Sequence, residues 1–149
     1  MVARGPLPQA EYEAIFSKVP RLTVEVVITA PGREGVLLSR RERGPCRGLW
    51  HIPGGTVRFG ETLTEAVRRV PRDELGLEVA VGSLIGYIEY PSHLALGDWP
   101  VGIAFRAERS APSAQGPRAS RGTVAWFTHL PEEMHEEHKA FLRAHGLAS

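Results

Sequence analysis

The residues whose types and spacing are suited to chemistry lie in residues 54–77, which read GGTVRFGETLTEAVRRVPRDELGL. Gly54 and Gly55 allow a sharp backbone turn and a close approach of backbone polar groups to a ligand. Asp73 and Glu74 are adjacent carboxylates, and with free backbone carbonyls they make a hard oxygen site. Such a site suits Mg²⁺, which usually also holds the phosphate oxygens of a substrate. The alternative is a solvated helix face whose charges pair with one another.

A helix must position these two carboxylates, and the local sequence predicts it from Leu63 to Leu75. Thr62 and Glu65 form a T-x-x-E capping box at its start. Gly76 is placed to end it. Four apolar residues recur at helical spacing and predict one buried stripe: Leu63, Ala66, Val67 and Val70.

The predicted helix contains a proline, Pro71. A proline in a helix interior removes one backbone hydrogen bond and crowds the carbonyl of Val67, at a cost of about 3 kcal/mol. We expect a kink or a local widening of the helix at this point, which would re-aim Asp73 and Glu74. Arg69 precedes Asp73 by one turn and is close enough to pair with it.

The remaining elements are strands with helices interspersed. The predicted strands are 22–29, 36–40, 49–53, 56–58, 79–90 (bent at Gly82 or Gly86), 101–108 and 123–127. The predicted flanking helices are 8–19 and 131–145, and residues 41–48, 91–100 and 110–120 are predicted loops. Hairpin-paired strands with interspersed helices predict an α/β (α+β) fold in which helices cover a mixed β-sheet.

Composition sets wider limits on the function. The 149 residues are one domain's worth, so we expect a single domain over residues 1–149. The formal net charge of +1 argues against nucleic acid or acidic lipid as a partner. Cys46 is the only cysteine, which excludes an internal disulfide and fits a reducing compartment. We see no signal peptide and no apolar run near the roughly 18 residues of a membrane span, so we expect a cytoplasmic protein with no membrane partner.

The spacing of the central segment resembles the Nudix box, G-x5-E-x7-R-E-U-x-E-E-x-G-U, where U is apolar. The positions that match in register are Gly55, Glu61, Arg69, Glu74, Gly76 and Leu77. Asp73 is a conservative change, whereas Val70 stands in place of a Glu and Pro71 in place of an apolar residue. The resemblance implies a hydrolase with the Nudix fold, an α/β/α sandwich with a mixed β-sheet.

The departure at Val70 is similar to one branch of the family, the GDP-mannose mannosyl hydrolases. Their box resembles R-apolar-x-x-x-E-L-G-L, and residues 69–77 read RVPRDELGL. Residues 36–50, VLLSRRERGPCRGLW, also resemble that branch's LL-x-x-R-x-x-x-P-x-x-G-x-W run. The resemblance implies Mg²⁺-dependent hydrolysis of a nucleoside diphosphate sugar, GDP-mannose being a candidate, to GDP and free sugar. Mn²⁺ is an alternative ion, the partner is a small-molecule nucleotide, and a homodimer is implied because the branch is often dimeric.

The resemblance also implies roles for individual residues. Its metal ligands are the Gly55 carbonyl and the carboxylates of Asp73 and Glu74. Its catalytic residues are Arg41, Arg69 and Glu74, where Arg69 orients the carboxylates and Arg41 neutralises the leaving diphosphate.

The substrate-binding residues are predicted less directly. Glu25 matches an acidic residue that lies near the sugar, and Arg41 binds the diphosphate. We add Arg58 and His93 as candidates, His93 because a histidine in the loop after the long strand can supply a general base. The branch carries a Gln-His pair where this chain has Ser120 and Arg121, so the base is not identified.

Two other functions remain open at this point. One is a MutT-like nucleoside triphosphate/diphosphate pyrophosphohydrolase that cleaves at phosphorus, against which the missing Glu at position 70 counts. The other is a catalytically impaired Nudix-fold protein that binds nucleotides, which the lack of His or Glu at positions 120 and 121 favours.

Several further features are predicted to carry no chemistry. The run HEEH at 135–138 spaces its histidines three apart rather than the four of HExxH, and we expect it on a charged helix face. Cys46 has no evident partner base and is interpreted as incidental. Trp50, Trp99 and Trp126 are expected in the core or at its rim, with Trp99 the best placed of them to stack on a base.

Overall fold

The computed structural model describes residues 5–110 and 123–149, and a seven-stranded mixed β-sheet is its central element. The strands are β1 (Arg21–Ala30), β2 (Arg33–Arg40), β3 (Trp50–His51), β4 (Gly54–Thr56), β5 (Val79–Glu89), β6 (Pro100–Arg109) and β7 (Thr123–Phe127). The helices are α1 (Gln9–Phe16), α2 (Leu63–Leu75) and α3 (Glu136–Ala144), with a short 3₁₀ helix at Pro91–Leu96.

Strand β1 lies at the centre of the sheet. The strand order is β3-β2-β1-β6-β5, with β4 also paired to β1 and β7 to β2. The β1–β6 pair is parallel and runs along residues 21–29, whereas the other pairs are antiparallel. β4 pairs with β1 at residues 23–25, which brings the glycine pair of the central segment beside Glu25.

Neighbouring residues of a strand point to opposite faces of the sheet. A helix covers each of these faces. On one face Val24 and Val26 pack with Val67 of α2. On the other face Val27 packs with Phe141 and Leu142 of α3. Strand β1 is therefore buried on both sides, as its nearly continuous apolar run predicts. The α/β/α sandwich with a mixed sheet is the fold expected from the sequence.

Helix α2 begins and ends at the predicted residues. Thr62 Oγ1 accepts from the Glu65 amide at 3.2 Å, and the Thr62 amide donates to Glu65 Oε2 at 2.8 Å. Both bonds of the capping box are thus present. Gly76 ends the helix in the left-handed conformation with a φ of 65°, which glycine adopts without steric cost.

Pro71 does not interrupt α2. The helix is continuous from Leu63 to Leu75, so the expected local widening is absent. Pro71 is buried, as is the neighbouring Val70. The expectation of a kink that re-aims Asp73 stays a prediction.

Several predicted element bounds were wrong, and pairing with the sheet explains the two near the site. Helix α3 begins at residue 136 rather than 131, because His135 and Glu133 make backbone hydrogen bonds to Trp50 at 2.8 and 2.9 Å. Strand β4 covers 54–56 rather than 56–58, because these residues pair with β1. Helix α1 covers 9–16 rather than 8–19 and buries none of its residues. In the described part of the chain, no helix is long and apolar enough to cross a membrane.

Candidate active site

A charged clamp ties α2 to the end of β4. Arg69 Nε and Nη2 donate to the two carboxylate oxygens of Glu61 at 2.6 and 3.0 Å, and Arg69 Nη2 also donates to the Thr56 carbonyl at 2.9 Å. The Glu61 side chain is 4% exposed. Burial opposes its ionisation, but the hydrogen bonds from Arg69 and from the Arg58 amide outweigh that effect and lower the pKa of Glu61. Glu61 is therefore an ionised partner of Arg69.

The two carboxylates expected to hold a metal lie on the next turn of α2. Asp73 Oδ2 is 3.9 Å from both Arg69 Nη1 and Arg58 Nη2, so the predicted pairing of Arg69 with Asp73 is confirmed. Asp73 is half-exposed and Glu74 is exposed. Both carboxylates are accessible to an ion from solvent, and hard oxygen donors of this kind fit Mg²⁺.

Val70 fills the space beneath the backbone of Gly55. A Cβ built on Gly55 would come within 3.1 Å of Val70 Cγ2, and Val70 is 1% exposed. Where the box has a glutamate, this chain therefore presents hydrocarbon to the strand that carries the Gly55 carbonyl.

Glu25 is a buried carboxyl group in a pocket formed by two glycines. A Cβ on Gly54 would overlap Glu25 Oε2, and one on Gly102 would lie 2.9 Å from Glu25 Cγ. Thr23 Oγ1 donates to Glu25 Oε1 at 2.8 Å, and the Tyr90 hydroxyl also hydrogen-bonds the carboxyl group. Burial raises the pKa of Glu25 to about 7, against the opposing effects of these hydrogen bonds and of nearby arginines.

A buried hydrogen-bond chain continues from Glu25 to α3. The Ile52 amide donates to His138 Nδ1 at 3.0 Å, which leaves the ring proton on Nε2. His138 Nε2 lies 2.8 Å from the Tyr90 hydroxyl, so that Nε2–H donates to Tyr90 and Tyr90 donates to Glu25. Burial holds the pKa of His138 well below its usual value, in keeping with a neutral ring. The chain therefore fixes the orientation of Tyr90 and His138 relative to Glu25.

Arg41 affects the pKa values of Glu25 and of two histidines. It lowers the pKa of Glu25, although burial is the larger effect there. It also adds to burial in lowering the pKa of His51, to about 4, and that of His138. Arg41 is therefore close enough to Glu25, His51 and His138 to affect their ionisation.

The expectation about the HEEH run was wrong. The HEEH run does not lie on a solvated face, because His135 and His138 are 6% and 5% exposed. His93 is not an isolated loop residue, because its Nε2 lies 2.8 Å from His135 Nε2 and its side chain is 16% exposed. Cys46 was interpreted as incidental, but its Sγ lies near ring nitrogens of His93 and His135.

Comparison with known proteins decides the family. A model described as the NUDIX domain matches residues 19–145. This chain belongs to the Nudix family. A solved MutT Nudix hydrolase from Burkholderia pseudomallei has a similar structure, with a TM-score of 0.72 at 26% identity over 84% of this chain and 97% of that one.

Two curated relatives match the central part of this Nudix chain. The low-salt glycan biosynthesis protein Agl8 of Haloferax volcanii is 48% identical over 84 residues, which are 56% of this chain and 53% of that protein. The ADP-ribose pyrophosphatase of Methanocaldococcus jannaschii is 38% identical over 72 residues, 48% of this chain and 41% of that protein. The match thus spans about half the length of each of these relatives.

The structure brings part of the predicted site of this Nudix protein together. Arg58 and Arg69 both lie within ion-pair distance of Asp73, and Glu74 lies on the same helical turn. Glu25 and Arg41 interact with each other on the α3 side. The positions of Ser120 and Arg121 lie outside the described residues.

Sequence reasoning missed Tyr90 and the shared environment of three histidines. Tyr90 contacts the rings of His93, His135 and His138 at centroid distances of 5.1 to 5.5 Å. One signal was available, because His138 falls in the apolar stripe of the predicted last helix and that position predicts burial. The other contacts join segments that are distant in sequence and carry no local signature.

Proposed function

We propose that this protein is a Mg²⁺-dependent hydrolase of a nucleoside diphosphate linked to a sugar, with GDP-mannose as a candidate substrate, and that it releases the nucleoside diphosphate and the free sugar. The observation that carries the proposal is the replacement of a box glutamate by Val70, whose side chain is buried against Gly55. Attack at phosphorus in this family commonly uses that carboxylate, and cleavage at the sugar carbon does not require it. The identity to a protein named for glycan biosynthesis adds support.

The donor set proposed for the metal consists of the Gly55 carbonyl, Asp73 and Glu74. These are oxygen ligands, and the glycine leaves its backbone open to an ion because it has no side chain. When bound, Mg²⁺ would neutralise charge on the diphosphate of the substrate. We expect Mn²⁺ to replace it, because its ligand preferences are similar.

Three arginines have different roles in this proposal. Arg69 is fixed by Glu61 and holds Asp73 in place at 3.9 Å. Arg58 also lies 3.9 Å from Asp73 Oδ2, and in this proposal it binds a phosphate oxygen of the substrate. Arg41 stabilises the negative charge that develops on the leaving diphosphate, because a preorganised cation is most effective where charge grows.

Glu25 and His93 are the remaining candidates for substrate binding, on the side of the sugar. Glu25 is 6% exposed, and it contributes at the floor of the site rather than at its mouth. His93 has one ring nitrogen facing His135 and the other facing Asp98. Both ring nitrogens have neighbours within the protein, and we do not assign His93 the role of general base.

A hydrolysis panel in ¹⁸O-labelled water tests the proposal. GDP-mannose, other nucleotide sugars and nucleoside triphosphates are incubated with and without Mg²⁺, and the products are analysed by mass spectrometry. Cleavage at carbon places the label in the free sugar and leaves an unlabelled nucleoside diphosphate. A labelled phosphate group, with a nucleoside monophosphate as product, overturns the assignment.

A second candidate function is pyrophosphohydrolysis at phosphorus. It is favoured by two similar proteins, one named an ADP-ribose pyrophosphatase and one a MutT hydrolase. The same labelling panel distinguishes it from the first. Nucleotide binding without any turnover would instead support a Nudix-fold protein that has lost catalysis.

A further inference from the structure

Three metal-ligating side chains from separate segments meet beside the start of α3. Cys46 lies in the loop between β2 and β3, His93 in the 3₁₀ helix between β5 and β6, and His135 immediately before α3. Each offers one ligand atom, and these three atoms lie within 4.8 Å of one another. We propose that Cys46, His93 and His135 bind a transition-metal ion, Zn²⁺ by ligand preference, at a site separate from the carboxylates of the Nudix box.

The orientation of the two imidazoles supports this site. Their Nε2 atoms face each other at 2.8 Å. On the opposite sides of the rings, His93 Nδ1 is 3.6 Å from Asp98 Oδ2 and His135 Nδ1 is 3.4 Å from Glu137 Oε2. Without a metal, the 2.8 Å contact is an N–H···N hydrogen bond in which one Nε2 donates. With both ring protons on Nδ1, beside the carboxylates, both Nε2 lone pairs would point into the same space. A cation between them removes their repulsion, and a carboxylate behind the ring is typical of metal-bound histidines.

Unsatisfied buried atoms provide an independent indication. The Nδ1 atoms of His93 and His135 and the Oε2 atom of Glu137 are buried and have no hydrogen-bond partner. Buried polar atoms are rarely left unpaired, because desolvation without a partner costs free energy. Metal binding at Nε2 polarises the ring, strengthens the Nδ1–H donor and draws it towards the carboxylate.

The backbone at the cysteine is also unusual. Cys46 has a φ of 63°. Within residues 5–110 and 123–149, no other non-glycine residue has a positive φ. Side chains rarely adopt this conformation, and its presence at a site is a mark of functional constraint. The strained backbone directs the thiol towards the two histidines.

The donor set selects the class of metal. One thiolate and two imidazoles suit Zn²⁺ or Co²⁺, whereas Mg²⁺ requires oxygen ligands. Tetrahedral coordination would place the two nitrogens about 3.3 Å apart, so the rings need to separate only slightly from their present 2.8 Å. Three protein ligands leave the fourth position to water or to a small ligand.

The two outer carboxylates are held by residues from other segments of the chain. The Arg21 fork pairs with Asp98 at 2.7 and 3.1 Å, and Ser92 donates to Glu137, so both outer carboxylates are fixed.

Cobalt spectroscopy tests the site directly. Protein without a polyhistidine tag is stripped with a chelator and titrated with Co²⁺, and binding is followed by thiolate-to-cobalt charge-transfer absorption. Because Cys46 is the only cysteine in the chain, that absorption reports this residue alone. We expect one Co²⁺ per chain, displaced by one Zn²⁺. Absence of the charge-transfer band in the folded protein overturns the proposal.

Four variants sharpen the test. Cys46→Ser should abolish the band, and Glu137→Gln should weaken affinity by about 10- to 100-fold. His129→Gln is the matched control, because His129 is exposed and bonds Ser149, and it should bind as the wild type does. Glu74→Gln should also retain the metal, which separates this site from the proposed Mg²⁺ site. Equal binding by Cys46→Ser and the wild type would refute the assignment, provided that circular dichroism shows both to be folded.

Discussion

The carboxyl group of Glu25 occupies the space that a side chain at position 54 would need. Gly54 and Glu25 are directly paired across β4 and β1, and a Cβ on Gly54 would overlap Glu25 Oε2 and lie 2.8 Å from the Val24 carbonyl. The first glycine of the pair is therefore required by a buried acid and not by a ligand. Its role differs from that of Gly55, whose added Cβ would contact only Val70.

We expect Gly54→Ala to destabilise the protein by about 1 to 3 kcal/mol, because overpacking next to backbone atoms cannot relax easily. The displaced Glu25 carboxyl would also lose its hydrogen bonds to Thr23 and Tyr90. Urea unfolding measures the change. Gly5→Ala is the matched control, because nothing lies within 4 Å of a Cβ there, and an equal loss in both variants would contradict the packing argument.

The raised pKa of Glu25 predicts a pH-dependent stability. The folded-state pKa is about 7, compared with 4.5 as the ordinary value. Between these values the native state binds more protons than the unfolded state, so the free energy of unfolding falls as pH rises through this window. The loss amounts to about 3 kcal/mol at most, and Glu25→Gln should abolish it.

The measurement is the difference between Glu25→Gln and wild type in urea unfolding from pH 4 to 8. The buried histidines His135 and His138 act in the opposite sense, because their pKa values are lowered and their contribution is lost as pH falls below about 6.5. The difference between the two proteins largely removes these contributions. A difference that does not change with pH would show that Glu25 titrates normally.

The clamp between Arg69 and Glu61 should contribute to stability as well as to the site. We expect Glu61→Gln to cost about 2 kcal/mol, because hydrogen bonds to charged groups are strong and the Glu61 side chain is 4% exposed. Glu78→Gln removes the exposed partner of Arg72 and should cost less than about 1 kcal/mol. Thermal unfolding of the two variants side by side distinguishes a buried pair from a surface pair.

Substitution of a ligand in the proposed Mg²⁺ site should reduce turnover and leave the fold intact. We expect Glu74→Gln to lower Mg²⁺-dependent kcat by on the order of 100-fold or more, because one charged group at the reacting diphosphate is removed. Glu74 is exposed, so the melting temperature should stay within a degree or two of the wild type. Glu89→Gln, another exposed acid, is the control, and wild-type rates for Glu74→Gln would rule out the metal assignment.

The bounds of α2 were predictable because each signal is local. The capping box of Thr62 and Glu65 and the left-handed Gly76 act within one turn of the helix. The family could be recognised from spacing for the same reason, because the box lies on this one helix and its preceding turn. The central strand was predictable from its continuous apolar run.

The beginning of α3 could not be predicted from its local sequence. Residues 131–135 continue the helical pattern, yet backbone hydrogen bonds to Trp50 hold Glu133 and His135 in an extended arrangement. These bonds join positions more than 80 residues apart in the chain. Tertiary pairing therefore overrode local propensity, and it turned His135 inwards.

The sequence by itself determined the family, the sandwich of helices on a mixed sheet, and the placement of Asp73 and Glu74 on one helical turn, because all of these follow from short-range spacing and periodicity. Only the tertiary structure decided that Glu25 is a buried acid linked through Tyr90 to His138, and that Cys46 lies beside two histidines. The physical reason is that each of these groups comes from a different segment. Their burial and their contacts exist only once the sheet has brought the segments together.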